Sequence, residues 1–267
     1  MATQDGRSRD SYRSTIVTHV VLTRAESDAK RQLDLLSKRG FTATALPLLA
    51  IEPVIVAPAV TAELEQADVV IFTSANAVTH GLSHVMSACR SASTRDASTR
   101  VLAVGRKTRE LLINEGINAE SPDREDSEGL LELLASTGVD SPRLSNRIAL
   151  IKGEGGRDLI SSVLSEQGLS VVEVNCYRRI WPSVARRTLT DALDSPEPRY
   201  IHVASGETLS RLEELCVLYG VSVHEKHTVI LPSDRVENQA RELGWQSRIV
   251  AVGASDDALL EVLSTLS

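Results

Sequence analysis

Several short turns in this chain carry hydroxyls, small residues and basic groups directly after runs of β-branched residues. They are Thr23-Arg24, Thr73-Ser74-Ala75-Asn76, Lys107-Thr108, Lys152-Gly153-Glu154-Gly155-Gly156-Arg157, Ser205-Gly206 and Pro232-Ser233. Small residues let a ligand approach the main chain, and hydroxyls with free N–H groups suit carboxylates or phosphates. Any one of these Ser, Thr or Asn residues reads as well as a helix N-cap; as a set at strand ends they read as a surface for a polyanion. Tyr177, in NCYRRIWP, stands beside Arg178 and Arg179 and could donate a proton or a hydrogen bond. The alternative is a strand aromatic that only covers its neighbours. KGEGGR (152–157) resembles a phosphate loop but is neither G-x-x-x-x-G-K-[ST] nor G-x-G-x-x-G, so support for a nucleotide is weak. His80 and His84 lie four apart without an H-E-x-x-H context and read as a solvated helix face rather than metal ligands. There is no G-x-S-x-G elbow, and Cys176 sits in an apolar run that suggests burial.

The elements that must position these residues are visible as apolar runs. HVVLTR (19–24), VVIFTS (69–74), VLAVG (101–105), RIALIK (147–152), YIHVAS (200–205), HTVILP (227–232) and RIVAVG (248–253) read as strands, and most lead into a helical pattern. Leu33, Leu35 and Leu36 mark one such helix and Leu111, Leu112 and Ile113 another. Gly40, Gly116, Gly168 and Gly244 stand where helices should stop. Strands alternating with helices indicate α/β folding around parallel sheets. In such sheets ligands bind beyond the carboxyl ends of the strands.

The chain also repeats. VLTRAESDAKRQLDLLSKRGF falls on ALIKGEGGRDLISSVLSEQGL, and VLAVGRKTRELLINEGI on VILPSDRVENQARELGW, at a spacing of 128; IFTSANAV falls on HVASGETL at 131. A tandem duplication of an α/β unit accounts for the three blocks. LPLLAIEPVIV (46–56) and VVEVNCYRRIWP (171–182) are matching extended segments that could pair as a ribbon between domains. Polar breaks at 87–100, 119–128, 139–147 and 194–199 read as loops.

Composition narrows the functional classes. A net charge of −7 is poor for general nucleic-acid binding, and 3% aromatics leave little for stacking on single strands. An anionic ligand must therefore meet local donors rather than a global field. Cys89, Cys176 and Cys216 are odd in number and far apart, which fits a reducing cytoplasm without a disulfide framework. No window approaches the roughly 18 apolar residues of a membrane span. The polar opening, residues 1–15, reads as a loose tail rather than a secretory signal.

From about residue 19 to 264 the chain resembles the uroporphyrinogen-III synthase family. The resemblance is carried by VVLTRAESDAKRQLDLLSKRGF with LPLLAIEP, DVVIFTSANAV, VLAVGRKTRELLINEG, SEGLLELL and IALIKGEGGRDLISSVLSEQGLSVVEVNCYRRIWP. The C-terminal quarter departs most, with LPSDRVENQ and VASGETL in place of the family's usual turns. The resemblance implies two doubly wound, flavodoxin-like parallel-sheet domains joined by a two-stranded ribbon, with the site in the cleft between them. Residues 16–46 and 183–267 would form one domain, 57–170 the other, and 47–56 with 171–182 the ribbon.

The implied reaction is cofactor-free: hydroxymethylbilane loses water and closes with inversion of ring D, giving uroporphyrinogen III in haem biosynthesis. Tyr177 would be a supporting proton donor. Thr23, Arg24, Thr73, Ser74, Ala75, Asn76, Lys107, Thr108, Lys152, Gly153, Gly155, Gly156, Arg157, Ser205 and Ser233 would bind substrate, with no metal. The resemblance further implies a cytoplasmic monomer, with no nucleic acid or membrane partner, whose substrate could be handed over by the enzyme that makes it. Two rival readings are a cytoplasmic two-domain sensor that closes on a small anion, and a nucleotide-dependent transferase using KGEGGR.

Overall fold

The computed structural model describes residues 18–91, 99–136, 147–156 and 158–266. The N-terminal tail, Arg157, half of the break at 87–100 and nearly all of that at 139–147 lie outside the described residues.

Along the chain come β1 (His19–Leu22), α1 (Glu26–Ser37), β2 (Thr42–Ala45), β3 (Ala50–Pro53), α2 (Pro58–Leu64), β4 (Val69–Phe72), α3 (Ala75–Ser91), β5 (Arg100–Ala103), α4 (Arg106–Asn114) and α5 (Ser127–Ser136). Then follow β6 (Arg147–Gly153), α6 (Leu159–Glu166), β7 (Ser170–Ile180), α7 (Arg186–Leu193), β8 (Tyr200–His202), α8 (Gly206–Tyr219), β9 (Thr228–Leu231), α9 (Asp234–Glu242), β10 (Ser247–Val250) and α10 (Asp256–Ser264). Each apolar run quoted above contains a strand. The reason is plainest at β4, whose four residues are all buried, as a strand covered on both faces requires.

One reading of the sequence needs correction. α3 runs on to Ser91, into the stretch read as a loop from residue 87. The helix marked by Leu111, Leu112 and Ile113 is α4, in which Leu112 is fully buried and Ile113 is 43% exposed. The four stop glycines all have positive φ, between 79° and 94°, a conformation in which a Cβ is unfavourable.

The repeat is matched element by element: β1 with β6, β2 with the start of β7, β5 with β9 and α4 with α9 stand 128 residues apart. The compact units are not the repeats. One unit comprises the chain up to Ala50 together with Trp181 onward, and the other Ile51–Ile180. The first unit holds the sheet β2-β1-β8-β9-β10, all parallel. The second holds β5-β4-β6-β7-β3, with the pairs β5-β4, β4-β6 and β6-β7 parallel. Beyond β5 a single parallel bridge, Leu102 to Glu120, stands where β10 stands in the first sheet. The first follows the doubly wound order 2-1-3-4-5; the second matches it in space but not along the chain, since β6 and β7, which take the places of β1 and β2, come after β4 and β5. The second sheet has β3 added outside β7, where Val54 N–H donates to the Cys176 carbonyl at 3.0 Å.

Each sheet buries an apolar layer on both faces. In the first unit, Trp245, Leu212 and Leu231 lie in one layer and Leu22, Leu36 and Leu259 in the other. In the second, Phe72, Leu112 and Cys176 lie in one and Ile71, Leu130 and Leu150 in the other. A glycine inside α3 makes the close approach of helix to sheet possible: a Cβ on Gly81 would overlap the Ile151 side chain. Among the described residues no helix is long and apolar enough to cross a membrane.

One buried polar group makes the first unit pH-sensitive. His202 ends β8, is 2% exposed, and has no partner for Nδ1. Burial, reinforced by Arg24 and opposed by Asp256, lowers its pKa to about 4. A histidine depressed on folding gives its full stability above its unfolded pKa, near 6.5, and loses it as pH falls through the folded value. Urea midpoints should therefore fall between pH 6.5 and 4, by an amount equivalent to about 3 kcal/mol for this group. In His202→Leu, which cannot titrate, the fall should be visibly shallower; an unchanged pH slope would assign the loss elsewhere.

Candidate active site

The second unit has a cavity of about 180 Å³ at the carboxyl ends of β4 and β6. There the connections of the doubly wound sheet diverge, β4 leading outward to β5 and β6 to β7, which is the crevice where such sheets bind ligands. Thr73, Ser74, Lys152, Gly153, Tyr177 and Arg179 line it, with the Gly155-Gly156 turn at its rim and Val104, Leu150 and Ile160 as apolar wall.

Tyr177 reaches this place through an irregularity in pairing. Lys152 is paired with Asn175, but Gly153 with Tyr177, so β7 carries one extra residue here. Cys176 and Tyr177 consequently lie in the same buried layer instead of on opposite faces, as strict alternation would put them. The Glu154 N–H donates to the Tyr177 carbonyl at 2.8 Å and holds the shifted register. The ring is 4% exposed and lies flat against Gly153, where a Cβ would sit 2.5 Å from Cζ and 3.0 Å from the hydroxyl. Its hydroxyl is 3.0 Å from Ser74 Oγ. His80, expected on a solvated face, is instead half-buried with its ring centroid 5.9 Å from that of Tyr177, because α3 turns this side toward β7. His84 is also half-buried.

The two cations in the cavity differ. Lys152 is buried, and its Nζ contacts Asp158 at 3.0 Å and Glu173 at 3.2 Å. Burial works against its charge, but the hydrogen bonds and charges of the two carboxylates outweigh it and hold its pKa above the ordinary lysine value. Lys152 is thus charged but already compensated. Arg178 is bound by Glu52 at 3.2 Å, outside the cavity lining. Arg179, two residues from Tyr177 and so on its side of the strand, lines the cavity and makes no ion pair among the described residues. The sequence offered both arginines; only the extra residue in β7 and the position of Glu52 decide between them.

The other expected site residues fall as follows. Thr73 donates through Oγ1 to the Ile151 carbonyl at 3.2 Å. Ala75 and Asn76 open α3, half-buried beside Ser74. Lys107 is exposed on the first turn of α4, Thr108 is buried there, and neither lines the cavity. Four belong to the first unit. Thr23 is fully buried and donates to the His202 carbonyl at 2.8 Å. Arg24 donates to the Ala254 carbonyl at 2.6 Å and pairs with Asp28 at 3.1 Å. Ser205 caps α8, accepting the Thr208 N–H at 3.2 Å. Ser233 precedes α9 in extended backbone, and its hydroxyl makes no cap hydrogen bond. Sequence reasoning missed Asp158 and Glu173, the partners of Lys152; alternation along β7 was the available signal for Glu173.

A cavity of this size is below the roughly 300–1,000 Å³ that encloses a drug-sized ligand. It suits one ring or arm of a larger molecule, with a hydroxyl donor and a guanidinium for a carboxylate. The ring-on-glycine contact can be tested without a ligand. Gly153→Ala should destabilise by about 1–3 kcal/mol through overpacking. Combined with Tyr177→Ala, the loss in urea unfolding should be clearly less than the sum of the two single losses; additivity would mean that the ring yields freely.

A family model described as uroporphyrinogen-III synthase HemD matches residues 30–261. The uroporphyrinogen-III synthase of Salmonella typhimurium is 33% identical over 180 residues, 61% of this chain and 66% of that protein. That of Escherichia coli K12 is 34% identical over 146 residues, 53% of this chain and 56% of that protein. The alignments therefore span less than two thirds of these relatives. Among solved structures, uroporphyrinogen-III synthetase from Helicobacter pylori 26695 matches with a TM-score of 0.57 at 14% identity, covering 94% of this chain and 100% of that one. A mutant uroporphyrinogen III synthase from the extremely thermophilic bacterium Thermus thermophilus matches with a TM-score of 0.55 at 19% identity, covering 94% of this chain and 99% of that one. At such identities the likeness concerns the fold.

Proposed function

The chain belongs to the uroporphyrinogen-III synthase family, and on that premise we propose that it closes hydroxymethylbilane to uroporphyrinogen III with release of water and inversion of ring D. The observation that carries this reading is the switch-point cavity, of a size for one ring, whose lining joins Tyr177, with its hydroxyl 3.0 Å from Ser74 Oγ, to Arg179.

In this reading the Tyr177 O–H gives its proton to the departing hydroxyl, which leaves as water. The electron pair of the adjacent pyrrole forms the azafulvene that replaces the broken C–O bond. Ring D attacks that carbon through its substituted position, giving a spiro intermediate. Fragmentation and reclosure through the free position then invert the ring. The proton lost when the pyrrole becomes aromatic again restores the phenol. Closure to isomer I needs no protein, so the main task is geometric: to hold ring D in the orientation that favours attack from its substituted carbon. Arg179 would take one substrate carboxylate through a charge-assisted hydrogen bond. Lys152, tied to Asp158 and Glu173, would give positive potential without a free bond. The remaining strand-end residues, Ser233 and the Gly155-Gly156 turn among them, would offer hydroxyl and N–H donors to other carboxylates. The reading extends to a cofactor-free, monomeric cytoplasmic enzyme that receives its substrate from the enzyme that makes it.

The test is to generate hydroxymethylbilane in situ, add the purified protein, oxidise the products and separate the porphyrin isomers. Predominantly isomer III is expected; isomer I alone, at the protein-free rate with folded protein, would overturn the reading. Tyr177→Phe should slow isomer III formation by about tenfold, the worth of one hydrogen bond, and Tyr177→Ala by more, since the ring also packs. Arg179→Ala should raise KM by about tenfold at low salt and less at high salt. Arg178→Ala, whose guanidinium is held by Glu52, should leave KM near its original value.

A further inference from the structure

Ser74 does two things at once. It precedes α3, and its Oγ accepts the Ala77 N–H at 3.1 Å, the bond of a helix N-cap. The same oxygen lies 3.0 Å from the Tyr177 hydroxyl, so one of the two hydroxyls must donate to the other. The choice decides which proton faces the cavity. If Tyr177 donates to Ser74, its proton is turned away from the space it lines. If Ser74 donates, the tyrosine proton is free.

A phenol is the better donor of the two while it keeps its proton; once it has given that proton away its oxygen can only accept, and the second arrangement remains. A hydroxyl that accepts a hydrogen bond becomes a better donor, because the bonds of a chain polarise one another. Ser74 accepts from a main-chain N–H in the first turn of α3, where the helix carries partial positive charge. It is therefore a polarised donor, placed to turn its own proton to the tyrosine oxygen once that oxygen carries charge. The Tyr177 ring cannot swing out of reach, being held over Gly153 and beside His80.

We propose that Ser74 is a positioning residue: a relay of hydrogen bonds runs from the Ala77 N–H through the Ser74 hydroxyl to the Tyr177 oxygen, and steadies the charge left there when the tyrosine proton is given up. The proposal rests on the reading of Tyr177 as donor, and it adds the group that supports the oxygen from which the proton leaves. A residue acting only as a helix cap would lower stability on removal without acting through Tyr177.

The experiment is a double-mutant cycle on isomer III formation, with kcat and KM measured for the unmodified protein, Ser74→Ala, Ser74→Thr, Tyr177→Phe and Ser74→Ala/Tyr177→Phe, each shown to be folded by thermal melting. Expected are an approximately threefold to fivefold lower kcat in Ser74→Ala with little change in KM, recovery in Ser74→Thr, and no further loss when Ser74→Ala is added to Tyr177→Phe. An equal loss in both backgrounds would reduce Ser74 to a cap and overturn the relay while leaving Tyr177 as donor. Full kcat in Ser74→Ala would overturn it directly. Full kcat in Tyr177→Phe would overturn the donor role and the relay together, and absence of isomer III from the unmodified protein would overturn the proposed function itself.

Discussion

The Tyr177 ring lies on main chain where any other residue would put a Cβ, and the site is organised around that approach. With Gly153 the ring enters the buried layer, and its hydroxyl meets the first turn of α3. The extra residue in β7 supplies the other half of the arrangement by bringing Tyr177 to the same side as Cys176. One missing methyl group and one inserted residue convert an edge of the parallel sheet into the wall of a cavity. The apolar layers beneath, with Phe72 and Ile151 fully buried, keep both strands from relaxing away from it.

Charge is distributed by the same logic. Lys152 and Arg24 stand at equivalent positions of the two repeats, and each is tied to a carboxylate, Asp158 with Glu173 in one case and Asp28 in the other. Inherited cations at the strand ends are thus balanced within their own units. Among the described residues of the cavity lining, Arg179 is the cation without an ion pair, with hydroxyls and the carboxylate of Glu154 in the same lining.

The strands were legible because burial on both faces leaves an unbroken apolar signature, as in β4 and β6. The duplication was legible because glycines with positive φ end equivalent helices in both repeats. α2 and α7 were not: α2 is only seven residues long, and in α7 charged residues surround Leu189, Ala192 and Leu193. At the site, sequence indicated Tyr177, Ser74 and Lys152 but not their relations. The separation of Arg178 from Arg179 depends on Glu52, 126 residues away from Arg178 in the chain. His80 looked solvated because a helical pattern does not reveal which neighbour an element turns toward. The unpartnered Nδ1 of His202 is likewise a property of packing that residue type does not carry.

The exchange of β1–β2 and β6–β7 between the repeats has a consequence for synthesis of the chain. The sheet of the second unit is complete once β7 has emerged, whereas β1, α1 and β2 must wait for β8 to take its place beside β1. During translation the first βαβ segment therefore exists with one flank of β1 unpaired while about 150 residues are added. The unit made first in the chain is the one finished last. A nascent chain stalled after β7 would carry a complete sheet preceded by an incomplete one, whose unpaired flank of β1 is the kind of strand edge that invites pairing with another chain.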